Sequence, residues 1–402
     1  MDEFANIGFM PADILLPKMG DITKWSVVAC DQYTSQPEYW QEVARITDGE
    51  ISTLDIIFPE VYLENGDEKA TIEKINSKMQ EYINNDIFQK HEDSFVYVER
   101  TFPNGKKRCG IVGAIDLESY DYSDNAKSAI RATEKTVVER LPARVDIRCN
   151  APLELPHVML LVDDPADSVI APLRENSEKY ELLYDFELMQ NGGHIKGYLI
   201  PREQAGGIAD ALDAIQNDNE FLFAVGDGNH SLAAAKNIWE SAKKNLSELE
   251  FETHPARFAL VEVCNIHEDS LEFEPIHRIV FDCEPQEVID GLKKYLAGKE
   301  KAQKISFVHA GGEGEIEFPS GYPLALLQNY LDDNDHKIDY IHGDDVAREL
   351  AKKSNHLAFL LPPMSKDQLF SDVATSGALL RKTFSIGEAH EKRFYLECRK
   401  IK

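Results

Sequence analysis

The residues best suited to chemistry lie at a predicted strand-to-helix junction. Residues 221–239 read FLFAVGDGNHSLAAAKNIW, an apolar run typical of a buried strand, then a turn, then a helical pattern that Ser231 opens. The polar and glycine positions are Gly226, Asp227, Gly228, Asn229, His230 and Ser231. A helix that begins directly after a strand presents free backbone N–H groups and the positive end of its dipole, so this junction is suited to phosphate or carboxylate.

A purely structural role is the alternative for this junction. The two glycines would supply backbone angles that other residues avoid, Asp227 or Ser231 would cap the helix, and His230 would satisfy a carbonyl. A turn needs only one or two such residues, however, and here Asp, Asn, His and Ser crowd together. Both interpretations stay open at this point, and the functional one predicts an anion site at residues 226–231.

A second polar loop follows another apolar segment. Residues 25–30 (WSVVAC) predict a short buried strand, and residues 31–35 (DQYTS) predict the loop after it. If this strand and the strand before Gly226 belong to one sheet, both loops open at the same edge, where α/β proteins commonly bind ligands. Asp31 would then hold a metal ion or accept a proton from a substrate hydroxyl. The alternative is that Asp31 and Ser35 only shape the loop.

Arginines in the middle of the chain could balance a bound anion. Residues 123–140 predict a charged helix that carries Glu134 and Arg140, and residues 144–148 place Arg144 and Arg148 on one face of a predicted strand. Guanidinium groups beside carboxylates are a common way to hold phosphate in an acidic protein. Surface salt bridges would produce the same pattern. Arg278, in the segment EPIHR, is a further candidate.

The elements that must position these residues alternate between strand and helix patterns. Hairpins are predicted at residues 95–116 and 180–201, helices from Pro37 and over residues 67–87, and a β-α-β unit over residues 338–361. The predicted fold class is α/β (α+β), with a mixed β-sheet and flanking helices. The predicted domains are residues 1–250, which carry the turn, and a second α/β lobe over residues 251–402.

The net charge of −28, from 43 basic and 71 acidic residues, restricts the partners. A field of this sign repels nucleic acid and anionic lipid, so neither nucleic acid nor a membrane is an expected partner. The N-terminus is acidic rather than basic, and no apolar run approaches the about 20 residues that span a bilayer. We expect a soluble cytoplasmic protein, and the oligomeric state is left open.

Several common enzyme classes are not supported by the sequence. The six cysteines are far apart and form no Cys-x-x-Cys pair, so the sequence signals neither a zinc site nor a disulfide framework. Walker A, dinucleotide-binding, HExxH and GxSxG sequences are all missing. These absences argue against the usual ATPases, dehydrogenases, metalloproteases and hydrolases.

Five segments together resemble the uncharacterised family DUF1015 over nearly the whole chain. They are VVACDQYTS, RATEKTVVER, GDGNHSLAAAK, EPIHRIV, and AFLLPP followed by RKTF. The stretch from Asp227 to Ser231 in turn looks like the signature of the ParB/sulfiredoxin-like fold, whose partition proteins, sulfiredoxins and free-serine kinases place nucleotide phosphates at this turn. Asn229 stands where sulfiredoxins carry a cysteine, so their redox chemistry is not implied. Ser231 replaces the arginine of the signature, so a cation would have to come from elsewhere.

The resemblance implies a small-molecule phosphotransferase, similar to the serine kinases of that fold, that uses ATP or ADP with Mg²⁺ and a small hydroxylated metabolite. The assigned residues are Asp227, His230, Asp31 and Glu134 in catalysis, Asp227 and Asp31 as metal ligands, and Gly226, Gly228, Asn229, Ser231, Arg140, Arg144 and Arg278 at the nucleotide. Two alternatives stay open. One is a non-catalytic nucleotide-sensing or interaction protein, and the other is a hydrolase of a small phosphorylated or carboxylated metabolite.

Overall fold

The computed structural model describes residues 3–18, 20–63, 67–136, 141–320 and 323–402. Its contacts divide the chain into two compact units. The first unit is Met1–Leu271 with Val373–Ala378 and Gly387–Lys402, and the second unit is Glu272–Asp372 with Leu379–Ile386. The predicted domains, residues 1–250 and 251–402, stay a prediction, because a compact unit is not by itself an independently folding domain.

The strands and helices are as follows. The strands are β1 (Phe9–Met10), β2 (Ala12–Pro17), β3 (Val27–Val28), β4 (Phe88–Thr101), β5 (Lys107–Asp116), β6 (Tyr120–Asp121), β7 (Ile130–Ala132), β8 (Leu153–Glu154), β9 (Met159–Val162), β10 (Glu181–Glu187), β11 (His194–Pro201), β12 (Phe223–Asp227), β13 (Phe258–Asn265), β14 (Phe273–Phe281), β15 (Gln303–His309), β16 (Gly312–Phe318), β17 (Lys337–His342), β18 (Leu357–Leu360), β19 (Phe384–Ile386), β20 (Phe394–Tyr395) and β21 (Arg399–Lys400). The helices are α1 (Ile22–Trp25), α2 (Pro37–Thr47), α3 (Glu68–Asn84), α4 (Leu141–Cys149), α5 (Ala171–Glu175), α6 (Gly206–Asp218), α7 (Asn229–Ala242), α8 (Glu248–Thr253), α9 (Pro285–Tyr295), α10 (Leu324–Asp333), α11 (Asp344–Ala351) and α12 (Lys366–Ser376).

The first unit is built on one large mixed sheet with the strand order β10-β11-β4-β5-β13-β9-β12-β7-β6, to which β1 and β2 add at β5 and β4. Alternate residues of β4 enter two different apolar clusters. Val96 and Val98 pack in one cluster, and Phe95 and Tyr97 pack in the other. Both faces of the sheet are therefore covered by apolar clusters at β4.

The second unit has its own smaller sheet, with the order β16-β15-β18-β14-β17, and β19 adds at β14. Strands β17 and β18 are both antiparallel to β14, which lies between them, and α11 connects them. This is the β-α-β unit that the sequence predicts. Helix α9 buries Val288, Ile289 and Leu292 against this unit's apolar cluster.

Most of the predicted elements form for the expected local reasons. The Asn104-Gly105 turn joins β4 and β5, with Gly105 at φ +83°. Helix α2 begins at Pro37, and α3 begins after Asp67, whose side chain accepts from the amide of Ala70. The structure thus confirms the fold class, a mixed α/β arrangement in which helices flank a large mixed sheet.

Two predicted elements are wrong. The described part of residues 123–140 contains β7 instead of a helix, because Ile130–Ala132 pairs in parallel with β12 and this tertiary pairing overrides the charged pattern. Residues 144–148 belong to helix α4 instead of a strand, since so short a segment cannot distinguish the strand period from the helix period. None of the helices in the described ranges is both long enough and apolar enough to cross a bilayer.

Candidate functional site

The turn between β12 and α7 is shaped by Gly228. This residue has φ +84°, and a Cβ atom placed on it would lie 2.2 Å from the carbonyl oxygen of His157. Helix α7 begins at Asn229, two residues earlier than predicted, and its first helical bond runs from the amide of Leu232 to the carbonyl of Gly228, at 3.0 Å. The amides of the first turn therefore have no acceptor within the helix, as the anion-site prediction requires.

His157 reaches the turn because β9 and β12 run antiparallel. The register pairs Asp227 with Met159, so the chain just before β9 lies beside the end of β12. His157 is not among the predicted site residues, because it precedes its strand and no local pattern links it to the turn. In an antiparallel pair, the start of one strand meets the end of the other.

Asp31 completes the group, although not through the sheet that the sequence suggested. Strand β3 pairs with β20 in a separate two-stranded sheet, so the assumption that β3 and β12 share a sheet is wrong. The loop after β3 nevertheless brings Asp31 Oδ1 to 3.0 Å from His157 Nε2. One ligand atom from each of Asp31, His157 and Asp227 lies within 4.8 Å of the others. We call this group the Asp–His–Asp cluster.

The charges in the cluster stabilise one another. Burial alone would raise the pKa of Asp31, but the positive charge of His157 and the hydrogen bond from Gln32 Nε2, at 2.8 Å, hold it below its usual range. Burial alone would lower the pKa of His157, but Asp31 and Asp227 outweigh it and raise this pKa. The pair is therefore an ionised carboxylate beside an imidazole that readily takes a proton.

The thiol of Cys30, the residue before Asp31, is held in its protonated form. Burial, together with the negative charge of Asp31, raises the pKa of its thiol to about 12. The thiolate is the nucleophilic form of cysteine, and this environment disfavours it at neutral pH.

A lysine from the C-terminal segment joins the cluster. Lys392 Nζ lies 3.2 Å from Asp227 Oδ2, and Asp227 Oδ1 accepts a hydrogen bond of 2.9 Å from the amide of Gly228. Lys392 is not among the residues predicted from the sequence, because nothing in the local sequence around it marks a functional residue. The pairing of β20 with β3 brings its segment to the site.

A cavity of about 160 Å³ adjoins the cluster, and Asp31, His157 and Ser231 line it. Most of the other lining side chains are apolar. Arg144, on α4, also lines the cavity and forms an ion pair with Glu60. The cavity thus combines a mostly apolar wall with a few polar and charged groups, a composition that small-molecule sites share.

The remaining predicted residues lie in different places. Asn229 donates to Thr133 Oγ1 at 3.3 Å, which ties the start of α7 to the end of β7. Glu134 is half-buried just beyond β7, at the same sheet edge as Gly226, because β7 and β12 are parallel. His230 is half-buried in the first turn of α7. Arg140 lies outside the described residues.

Arg278 belongs to the second unit and has a structural role there. Its side chain is fully buried, and it donates to Gln328 Oε1 at 3.0 Å and to the carbonyls of Ile276, at 2.6 Å, and Lys382, at 2.9 Å. It also packs over the ring of Tyr340. These contacts link β14 to α10, to β17 and to the segment before β19 within the second unit.

The site therefore combines two kinds of binding group. The backbone amides at the start of α7, which have no acceptor within the helix, and the ammonium of Lys392 favour an anion, whereas the carboxylates of Asp31 and Asp227 favour a cation. Carboxylate oxygens suit Mg²⁺, and an imidazole would add preference for a transition metal. A phosphate ester that binds together with a divalent metal ion requires a site with both kinds of group side by side.

The chain belongs to the family described as protein of unknown function (DUF1015), whose model matches residues 13–343. No curated protein matches the sequence.

Similar solved structures share little sequence with the chain. A free serine kinase variant in complex with ADP is 12% identical, with a TM-score of 0.40, over 72% of this chain and 91% of that chain. C-terminally truncated SbnI from Staphylococcus aureus is 9% identical, with a TM-score of 0.37, over 69% of this chain and 82% of that chain. A conserved hypothetical protein from Pyrococcus furiosus is 11% identical, with a TM-score of 0.36, over 72% of this chain and 94% of that chain. Similarity at this level does not identify an activity.

Proposed function

We propose that this protein is a phosphotransferase that moves a phosphoryl group from a nucleotide to a hydroxyl of a small metabolite. The observation that carries the proposal is the convergence of Asp31, His157 and Asp227 beside the first turn of α7. Phosphoryl transfer depends on positioning and on charge stabilisation, and this convergence supplies both.

The donor's phosphate groups would bind at the start of α7. The amides of Asn229, His230 and Ser231 open the helix without intrahelical acceptors, and Gly228 lets the backbone turn tightly beneath them. The resemblance of residues 227–231 to the ParB/sulfiredoxin-like signature makes ATP and ADP the first donors to test.

Asp31 would accept the proton of the attacking hydroxyl. The hydroxyl oxygen forms a bond to phosphorus, the bond from phosphorus to the leaving nucleotide oxygen breaks, and that oxygen keeps the electron pair. The loose transition state of phosphoryl transfer does not need a strong base, so the low pKa of Asp31 is compatible with this role. His157 would stabilise the ionised carboxylate through the contact between Nε2 and Oδ1.

The donor set of the cluster fits a divalent cation. Asp31 and Asp227 supply the carboxylate oxygens that Mg²⁺ prefers, and the neutral form of His157 would offer a ring nitrogen. A bound Mg²⁺ would neutralise phosphate charge. Glu134, at the same sheet edge, is a further carboxylate that could support the site.

A thermal-shift and turnover assay tests this function. ATP and ADP, each with and without Mg²⁺, should raise the Tm, because a ligand that binds only the folded state stabilises it. Incubation with pooled hydroxylated metabolites should then consume nucleotide in a metabolite-dependent manner. Asp227→Asn should abolish this turnover and leave the Tm of the free protein within a few degrees of wild type. Activity that survives within a few-fold would refute the role of Asp227.

A hydrolase of a small phosphorylated metabolite is the second candidate. It is favoured by the small volume of the cavity beside a cluster that could hold a metal ion and activate water. Release of phosphate from a phosphorylated metabolite, without any nucleotide, would support this candidate over the first. Nucleotide binding with neither reaction would instead identify a non-catalytic nucleotide sensor.

A further inference from the structure

The C-terminal segment Gly387–Lys402 belongs to the first unit but lies outside residues 13–343, which match the family model. It holds the loop that carries Asp31. The carbonyl of Arg393 accepts from the amide of Ala29 at 3.0 Å, and the hydroxyl of Tyr395 lies 3.2 Å from the Sγ atom of Cys30. This one segment therefore fixes the Asp31 loop and brings Lys392 to the site.

Arg100 anchors the segment from the large sheet. Its side chain is buried, and it donates to the carbonyls of Lys392 at 2.6 Å, Glu391 at 3.0 Å and His390 at 2.8 Å. The guanidinium also packs over the ring of Phe394, with 5.1 Å to the ring centroid. These contacts fix the backbone path of the segment, since a rigid guanidinium fork allows few alternative arrangements of the carbonyls it binds.

The residue after Lys392 is anchored as well. Arg393 Nε lies 2.8 Å from Glu262 Oε2, and the same guanidinium pairs with Glu397. All three of these side chains are buried. The backbone on both sides of Lys392 is thus held by buried arginines, which place the origin of its side chain so that the ammonium lies 3.2 Å from Asp227.

We propose that Lys392 binds the phosphate groups of the donor and that Arg100 is the positioning residue that holds it in place. The inference rests on the proposed function and adds to it the cation that residues 226–231 lack. Lys392 lies beside the residue that precedes Gly228, so its charge adds to that of the helix terminus. An acidic protein of net charge −28 needs such a local cation if it is to bind a nucleotide.

Substitution of the lysine tests the assignment. Lys392→Met should raise the KM for the nucleotide by about 10-fold to 100-fold, the effect expected when a charge-assisted hydrogen bond is lost, and leave the KM for the acceptor within about twofold. Lys392→Arg should recover part of the loss. Lys400→Met removes an exposed lysine of the same segment and should match wild type.

Protection of Lys392 from acetylation by bound ATP tests the contact between this lysine and the nucleotide, and it also tests the role of Arg100. Under limiting acetylation followed by peptide mapping, ATP should slow the modification of Lys392 and leave that of Lys400 unchanged. In Arg100→Lys without ATP, Lys392 should be acetylated faster than in wild type. ATP should slow this acetylation less than it does in wild type. These rates are measured on the folded protein, and near-UV circular dichroism confirms the fold of each variant. If Arg100→Lys does not fold, Arg100→Gln is measured in the same way.

The outcomes separate this inference from the proposed function. A wild-type protein that neither binds nor consumes any nucleotide overturns both. Wild-type nucleotide binding combined with an unchanged KM and no protection of Lys392 overturns only the phosphate-binding role of Lys392. Normal protection and an unchanged acetylation rate in the Arg100 variant overturn only the positioning role of Arg100.

Discussion

The contact between Asp31 and His157 is the central interaction at the scale of single residues. Their side chains lie 3.0 Å apart, and each shifts the pKa of the other towards its charged form. Such mutual stabilisation is common at functional sites, although structural ion pairs produce it too. Variants that remove the charge of Asp31 and keep its shape distinguish a functional pair from a structural ion pair.

Asp31→Asn should lower the pKa of His157, because it removes the carboxylate that contributes most to raising it. The other groups facing the imidazole, Asp227 and Lys392, are unchanged in this variant. The measurement is an NMR titration of the imidazole in metal-free protein. Asp163→Asn is a matched control, since Asp163 lies 2.7 Å from a different imidazole, that of His267, and should leave His157 unaffected. An unchanged His157 titration in Asp31→Asn would contradict the pairing.

Glu268 should make stability depend on pH. Burial raises the pKa of its carboxyl to about 7, above the ordinary value of 4.5. The folded state therefore holds this proton more tightly than the unfolded state, so the associated stability is present below about pH 4.5 and is lost as pH rises through 7. Glu268→Gln cannot ionise, and its Tm relative to wild type should rise between pH 5 and pH 8. A difference in Tm that does not change with pH would show that Glu268 titrates normally.

At the scale of elements, the turn between β12 and α7 depends on the lack of a side chain at Gly228. Gly228→Ala should destabilise the protein by more than the about 1–2 kcal/mol that a left-handed backbone costs, because its Cβ would also meet the carbonyl oxygen of His157. Gly49→Ala is the matched control, since Gly49 has φ +77° and a Cβ atom placed on it would meet no atom within 4 Å. Urea unfolding gives both free energies. Equal losses of unfolding free energy in the two variants would show that the close approach of residue 228 to the carbonyl of His157 adds no cost.

How far the sequence predicts the site depends on how each residue is brought there. Asp31 and Asp227 lie at the ends of apolar strand segments, and that local pattern is sufficient to select them. His157 is not predictable in this way, because it precedes its strand and approaches only through the antiparallel pairing of β9 with β12. Lys392 depends on a contact between the two ends of the chain, through β3 and β20. Local periodicity carries no information about such distant pairings.

At the scale of the whole molecule, the net charge of −28 opposes the approach of any anion. The repulsion is long-ranged, whereas the attraction of Lys392 and the α7 terminus acts at contact distance. Raising the salt concentration from about 0.01 M to 0.1 M shortens the screening length from about 30 Å to about 10 Å. It therefore weakens the long-range repulsion more than the attraction at contact distance. The KM for the nucleotide should therefore fall over this range, and that for an uncharged acceptor should not change. A KM for the nucleotide that rises with salt would show that contact attraction dominates instead.

The same charge argues against nucleic acid as a partner. We expect no retention of the protein on immobilised DNA or RNA at 0.1 M salt, because retention requires neutralisation of phosphates by a basic surface. Retention at this salt concentration that is lost at higher salt would reveal a basic surface that the overall charge conceals.

The most direct measurement is a crystal structure with a non-hydrolysable nucleotide and Mg²⁺. We expect the terminal phosphate within hydrogen-bond distance of the first amides of α7, with the cation on Asp31 or Asp227 and the apolar cavity left open for the acceptor. A nucleotide bound at any other place, with the start of α7 in contact only with protein, would contradict this expectation.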